Sequence, residues 1–259
     1  MNLSNHNLQI PADKKVYFLS DFHLGAPDYE ASLVREKRVV KFLDEIKKDA
    51  AVIFVMGDLF DFWYEYKEVV PKGFVRILGK LAELTDSGIL IHFFVGNHDM
   101  WMNGYFEKEL NIAVHYNPCE FTFNNKKFLI GHGDGLGPGD KKYKLLKKVF
   151  RSKISQFLFG MMHPTWGIGL ANYFSRKSRA ATGKGDEHFL GEDKEWLIIY
   201  SKEVLKKEHF DYFVFGHRHL PIEFQLNENS TYINLGDWIK YFSYAVFDGD
   251  KLQLKYNQP

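Results

Sequence analysis

The sequence predicts an α/β fold, and three observations carry that prediction. Short apolar runs rich in Val, Ile and Phe recur along the chain, each leading directly into a polar cluster rich in Gly, Asp or His. Helical periodicities separate the first of these runs, whereas the C-terminal third has closely spaced runs joined by turn residues. Apolar runs of roughly 4–8 residues bounded by turns read as buried strands, and strand–helix–strand order builds a sheet covered by helices.

In chain order, Val16 to Leu19 leads into Ser20-Asp21-Phe22-His23, and Val52 to Met56 into Gly57-Asp58. Ile89 to Val95 leads into Gly96-Asn97-His98-Asp99, Phe128 to Ile130 into Gly131-His132-Gly133-Asp134, and Tyr212 to Phe215 into Gly216-His217-Arg218-His219. Val39, Phe42, Leu43 and Ile46 keep the spacing of one helix face, as do Phe74, Ile77, Leu78, Leu81 and Leu84. Asp86-Ser87-Gly88 ends the second helix with turn chemistry. Thr231 to Asn234, Tyr244 to Phe247 and Leu252 to Tyr256, with the turn Asp248-Gly249-Asp250, read as antiparallel strands. Ligands of such sheets gather where the strands end, so the polar clusters are the place to look for chemistry.

The chain has 259 residues, enough for one domain with a sizeable core, and neither a repeat nor a low-complexity linker divides it. A single cysteine, Cys119, excludes an internal disulfide framework and favours a reducing compartment. Met1 to Lys15 lacks the pattern of a secretory signal, and no apolar run approaches the ~20 residues that span a bilayer. The expectation is a cytoplasmic protein.

A net charge of +1 conceals an uneven distribution. From Asp140 to Lys184 there are eleven Lys and Arg against one Asp, a local charge of +10. Within this stretch Ile154 to Phe174 is apolar and aromatic, and Pro164 is expected to break it. Apolar residues interleaved with cations suit a helical cap or a membrane-surface element facing an anionic partner. The insert is therefore placed at about 140–184 within a single domain spanning 1–259.

Taken singly, none of the polar clusters is specific, because Gly-Asp pairs are common turns and a lone histidine is usually structural. Together they hold five of the eleven histidines. Asp21, His23, Asp58, Asn97, His132, His217 and His219 supply carboxylate, amide and imidazole but no thiolate, a set suited to Mn²⁺, Fe²⁺ or Zn²⁺. Seven donors are too many for one catalytic ion with an open position, and two ions sharing a carboxylate fit the count.

The ordered set Asp-x-His, Gly-Asp, Gly-Asn-His-Asp, Gly-His-Gly-Asp and Gly-His-x-His resembles the calcineurin-like metallophosphoesterases, over Val16 to about Asp237. The resemblance implies a four-layer sandwich, two central mixed sheets flanked by helices, and hydrolysis of phosphate esters or anhydrides with two metal ions. It implies one metal on Asp21, His23, Asp58 and His219, and the other on Asp58, Asn97, His132 and His217, with Asp58 bridging. It also implies that His98 acts on the phosphoryl oxygen or the leaving group, with Asp99 orienting it.

Gly57-Asp58-Leu59-Phe60-Asp61-Phe62-Trp63 and the long insert resemble one group within that family. Its members use Mn²⁺ to cleave the pyrophosphate of UDP-2,3-diacylglucosamine, giving UMP and 2,3-diacylglucosamine 1-phosphate in lipid A synthesis at the inner membrane surface. By that resemblance the insert is a lid over the acyl chains, and Asp140, Tyr143, Ser178, Arg179 and His217 are candidate substrate contacts. The chain departs from many members at His98, where they carry Arg. Phe62, Trp63 and Tyr64 are read either as a uracil stack or as core, while Trp238, His92 and His115 are read as packing. Another phosphoesterase activity, on nucleotides or phosphoproteins, stays open, as does a non-catalytic scaffold. A nucleic-acid substrate is disfavoured, because a nuclease wants a polar basic groove with little grease.

Overall fold

The computed structural model describes residues 5–139, 141–182 and 188–258, with side chains for all of these but Asn5 and residues 176–182. The elements run β1 (Asn5–Leu8), β2 (Lys15–Leu19), α1 (Tyr29–Ile46), β3 (Ala50–Val55), α2 (Val75–Asp86), β4 (Leu90–Phe94), α3 (Tyr105–Glu109) and β5 (Ala113–His115). They continue with β6 (Cys119–Phe123), β7 (Lys126–Gly131), α4 (Lys141–Phe150), α5 (Lys153–Gly160), α6 (Pro164–Thr182) and α7 (Trp196–Leu205). The chain closes with β8 (Tyr212–Phe215), β9 (Pro221–Asn227), β10 (Ser230–Leu235), β11 (Ser243–Phe247) and β12 (Leu252–Tyr256).

The strands form two six-stranded mixed sheets, ordered β1-β6-β7-β8-β10-β9 and β12-β11-β2-β3-β4-β5. Strand alternation explains why they stack. On β2, Val16 and Phe18 join one apolar cluster with Phe54, Phe121, Phe128 and Phe247, which fills the space between the sheets. Tyr17 and Leu19 point the other way and pack with Val39, Phe42 and Leu43 of α1 and Leu81 and Leu84 of α2. On β7, Leu129 faces outward against Leu197 and Ile198 of α7. The result is helices, sheet, sheet, helix, the expected four layers. Each fully buried Phe contributes roughly 1.5–3 kcal/mol relative to exposure.

Local sequence sets the helix ends. Asp28 caps α1 by accepting from the Ala31 N–H at 2.9 Å, and Pro164 occupies the first turn of α6, where its missing N–H costs nothing. Among the expected antiparallel strands, β11 and β12 pair as read, but β10 runs parallel to β8 and antiparallel to β9. The difference arises because β10 and β11 belong to different sheets, with Gly236 to Phe242 crossing between them. The basic stretch forms α4, α5 and α6, and no residue of α4 or α5 is buried. No described helix is long and apolar enough to cross a membrane.

Candidate metal centre and flanking cavities

The five polar clusters lie at the C-terminal ends of β2, β3, β4, β7 and β8, all within the parallel parts of the two sheets. That shared polarity brings residues far apart in sequence to one edge. Close loop packing makes glycine obligatory there: a Cβ on Gly96 would fall on the Asp58 carboxylate, and one on Gly216 would fall on Ser20 and Asp21. Asp21, His23, Asp58 and His217 themselves adopt left-handed backbone, with φ between 44° and 65°. Four non-glycine residues in that region, clustered at one site, mark strain held by the surrounding packing.

Three donor groups result, two of them built from the expected ligands and the third from His23, Asp61 and His98. Asp21, His23 and His219 form the first, with His219 Nε2 at 3.4 Å from Asp21 Oδ1 and at 3.1 Å from His23 Nε2. Asp58, His132 and His217 form the second, and Asn97 Oδ1 joins them at 3.2 Å from His132 Nε2. Asp58 Oδ2 lies 3.7 Å from His23 Nε2 and 3.5 Å from His132 Nε2, between the first two groups. All seven residues expected as ligands therefore converge.

These residues fit a pair of divalent cations. Asp21 Oδ1 is buried with no hydrogen-bond partner, an expensive state for a carboxylate oxygen unless a cation occupies its face. Burial disfavours the charge of Asp21, yet the imidazoles of His219 and His23 beside it hold the carboxyl well below its usual range. Burial also opposes a charged His132, but the Asp58 carboxylate pushes that imidazole up to about 10, whereas burial and His132 pull His217 down to about 4.

Outer contacts orient the imidazoles, as is usual for histidine ligands. The Met56 carbonyl is 2.7 Å from His132 Nδ1, which leaves Nε2 facing the centre. Asp61 Oδ1 sits 3.5 Å from His23 Nδ1, and Asp237 Oδ2 sits 3.5 Å from His219 Nδ1. Asp237 is itself braced, its Oδ1 accepting from the N–H groups of Ile239, Lys240 and Tyr241. The roles of Asp61 and Asp237 were not read from the sequence, although each carboxylate stands beside a motif, three residues after Asp58 and directly after Gly236.

His98 stands beside this centre, its ring centroid 4.7 Å from that of His23. Its Nδ1 lies 2.9 Å from the Asp61 carbonyl and 3.2 Å from Ser175 Oγ, and burial keeps the imidazole below its ordinary pKa. Asp99 does not orient it. The Asp99 carboxylate accepts instead from the N–H groups of Gly96 and Leu59, both at 2.8 Å, and so ties two ligand loops together. The close spacing of those loops leaves it facing backbone rather than the ring.

Two cavities of about 480 Å³ each open beside the metal centre. One is apolar, walled by Phe62, Trp101, Phe150, Phe159, Leu170 and Phe174, and His98 and Asn97 also line it. The other is basic, lined by Lys144, Lys147, Lys148 and Arg151 beside His132 and Asp134. Helix α4 divides them. Tyr143 donates its hydroxyl to Asp134 Oδ2 at 2.6 Å, and Lys147 Nζ reaches the same oxygen at 2.6 Å. Tyr143 thus lines the apolar cavity while its hydroxyl engages the fourth motif. Asp140 and the side chains of Ser178 and Arg179 lie outside the described residues. Trp63 is fully buried and stacked on Phe60, which settles it as core, whereas Tyr64 donates to the Gln156 carbonyl at 2.7 Å and helps hold α5.

Comparison with known proteins agrees with this geometry. The profile of the family described as calcineurin-like phosphoesterase matches residues 14–221. A UDP-2,3-diacylglucosamine hydrolase of Porphyromonas gingivalis is 40% identical over 253 residues, covering 93% of this chain and 97% of that protein. Enzymes of the same name from Aeromonas salmonicida and Neisseria meningitidis are 27% and 28% identical, covering 88% and 92% of this chain and 88% and 95% of their own length.

Proposed function

Because the chain belongs to the calcineurin-like phosphoesterase family, we propose that it hydrolyses the pyrophosphate of UDP-2,3-diacylglucosamine, releasing UMP and 2,3-diacylglucosamine 1-phosphate. The observation that carries the substrate is the apolar cavity against the metal centre, with His98 in its wall and helices from the insert as its roof. A metal centre alone serves any phosphate ester. An aromatic chamber of about 480 Å³ beside it is suited to acyl chains, each buried CH₂ contributing about 0.8 kcal/mol.

Asp21, His23, Asp58 and His219 would hold one cation and Asp58, Asn97, His132 and His217 the other; Mn²⁺ suits this oxygen and imidazole set. When bound, the pair supplies positive charge to the phosphoryl oxygens and nucleophilic water at neutral pH. The protein does the rest. Asp61 and Asp237 hold two ligand imidazoles in register, and the left-handed loops keep every donor aimed at one point. His98 would serve the leaving phosphate as imidazolium, with Nδ1–H on the Asp61 carbonyl and Nε2–H toward the phosphate, the negative charge of the substrate offsetting the burial that lowers its pKa. Ser175 carries the lid to this point by donating to Asp61 Oδ2 at 2.9 Å, so closure over a substrate and placement of His98 share one contact.

The exposed side of the insert supports a peripheral role at the cytoplasmic face of the inner membrane. Ile154, Phe157, Met161 and Trp166 are each more than 60% exposed on α5, α6 and the turn between them, beside the lysines of α4. Apolar side chains next to cations bind an anionic bilayer surface by insertion and attraction together. The insert is thus a lid on a single domain rather than a domain of its own.

Release of UMP from UDP-2,3-diacylglucosamine by the Mn²⁺-loaded protein tests the proposal. Turnover that far exceeds that of UDP-glucose and of a chromogenic diester is expected. Hydrolysis of the small esters with no turnover of the diacylated nucleotide would leave only the general phosphoesterase reading.

A further inference from the structure

The basic cavity remains unexplained by the metal chemistry and by the acyl chains. It lies on the opposite side of α4 from the apolar one, reaching from His132 and Asp134 to the Tyr116-Asn117-Pro118 turn after β5. Among the described residues, Lys144, Lys148 and Arg151 have no carboxylate within ion-pair distance. Arg151 donates Nη1 to the Tyr116 carbonyl at 3.1 Å, while its Nε and Nη2 are buried and have no acceptor. A half-buried guanidinium with two nitrogens shielded from water and unused is costly unless an anion completes it, and its fork matches phosphate oxygens.

We propose that this cavity holds the nucleoside monophosphate half of the substrate, with Arg151 and Lys148 as specificity-determining contacts. The inference rests on the lipid-nucleotide reading and adds the direction in which the substrate lies. The molecule has two chemically unlike halves joined by a diphosphate, and the centre is flanked by two chemically unlike cavities of equal size. Acyl chains are excluded from the basic cavity by the desolvation of its cations. A polar, anionic nucleotide fits it, and about 480 Å³ lies within the roughly 300–1,000 Å³ of small-molecule sites. The arrangement also places His98, which lines the apolar cavity, beside the glycolipid phosphate as it leaves.

Calorimetric titration of UMP, inorganic phosphate and 2,3-diacylglucosamine 1-phosphate into the Mn²⁺-loaded protein tests this. Arg151→Ala should weaken UMP binding by about tenfold or more, in line with loss of a charge-assisted contact, and weaken the glycolipid less than about twofold. Inorganic phosphate, which needs only the metals, should also change less than about twofold. Should Arg151→Ala fail to fold, Asn117→Trp, which places a bulky ring at the exposed cavity wall, should exclude UMP while sparing the glycolipid. Equal loss for UMP and glycolipid, or unchanged UMP affinity in both variants, would overturn the assignment. Failure of the two readings can be told apart. A wild type that binds UMP through Arg151 yet never cleaves the lipid nucleotide removes the lipid reading alone, whereas one that cleaves it with UMP binding indifferent to Arg151 removes only the cavity assignment.

Discussion

Asp58 Oδ2 stands 3.7 Å from His23 Nε2 and 3.5 Å from His132 Nε2, so a single carboxylate oxygen joins the two donor groups. His23 follows β2 in one sheet and His132 follows β7 in the other, which makes the centre a seam between sheets as well as a site of chemistry. Asp58→Ala should therefore abolish turnover and lower bound metal from the about two ions per chain of such centres. Metal analysis after equilibrium with Mn²⁺ reads the second effect directly. Full occupancy in the variant would contradict a bridging role.

The His98 ring meets the Asp61 carbonyl and Ser175, and the role proposed for it is in the chemistry rather than in holding a cation. His98→Ala should lower kcat by ~10²–10⁴ while metal content stays near that of the wild type. Loss of an ion in that variant would reassign His98 as a ligand.

Asp237 acts one bond further out, through His219. Asp237→Ala should weaken metal affinity by about 10–100-fold, and added Mn²⁺ should restore much of kcat. A competing chelator with graded metal concentrations measures the shift; an unchanged affinity would show that His219 needs no support.

Much of this was legible in the sequence because the proposed ligands sit in short loops directly after apolar runs. A strand ending in Gly-Asp or Gly-His needs no tertiary knowledge to be placed, and β2, β3, β4, β7 and β8 all appear where those runs are. β1, β5, β6 and β9 were not anticipated: Asn5–Leu8 and Ala113–His115 are too short to show a period, while Cys119–Phe123 and Pro221–Asn227 do alternate but lead into no polar motif that would single them out. The partner of His98 was hidden for a different reason. Sequence adjacency suggested Asp99, but the backbone turn points that carboxylate at Gly96 and Leu59, and the true contacts come from Asp61 and from Ser175 on α6.

Away from the centre, a second histidine group predicts acid sensitivity. His92 Nδ1 and His115 Nε2 are 3.0 Å apart, His6 lies against both rings, and Cys119 Sγ is 3.5 Å from His115 Nδ1. Burial pulls His92 down to about 3 and His115 down to about 4, from an ordinary value of 6.5. The unfolded chain therefore binds protons first, so stability is complete above about pH 6.5 and declines as pH falls toward 4. His92→Gln should flatten the fall in Tm between pH 7 and 5, by several degrees if ~2 kcal/mol is at stake. An identical pH profile in the variant would show that other groups set the acid limit.

The insert should govern substrate and membrane preference without touching the metals. None of the seven proposed ligands lies within it, so replacing Ile154 to Phe174 by a short polar linker leaves the donors in place. Hydrolysis of a small chromogenic diester should persist, KM for the diacylated nucleotide should rise by about tenfold or more, and liposome sedimentation should fall. Unaltered KM in a folded, metal-loaded variant would remove the lid from the account.

The central claim is that the seam of the two sheets cleaves a lipid nucleotide with the nucleotide toward Arg151 and the acyl chains toward Phe159. Its most direct test is hydrolysis of UDP-2,3-diacylglucosamine by the Mn²⁺-loaded protein in water enriched in heavy oxygen, with mass analysis of both products. Attack at the uridine-side phosphorus places the label in UMP and leaves 2,3-diacylglucosamine 1-phosphate unlabelled, and chelation stops the reaction. Label in the glycolipid phosphate, or release of UMP that survives exhaustive chelation, would contradict it.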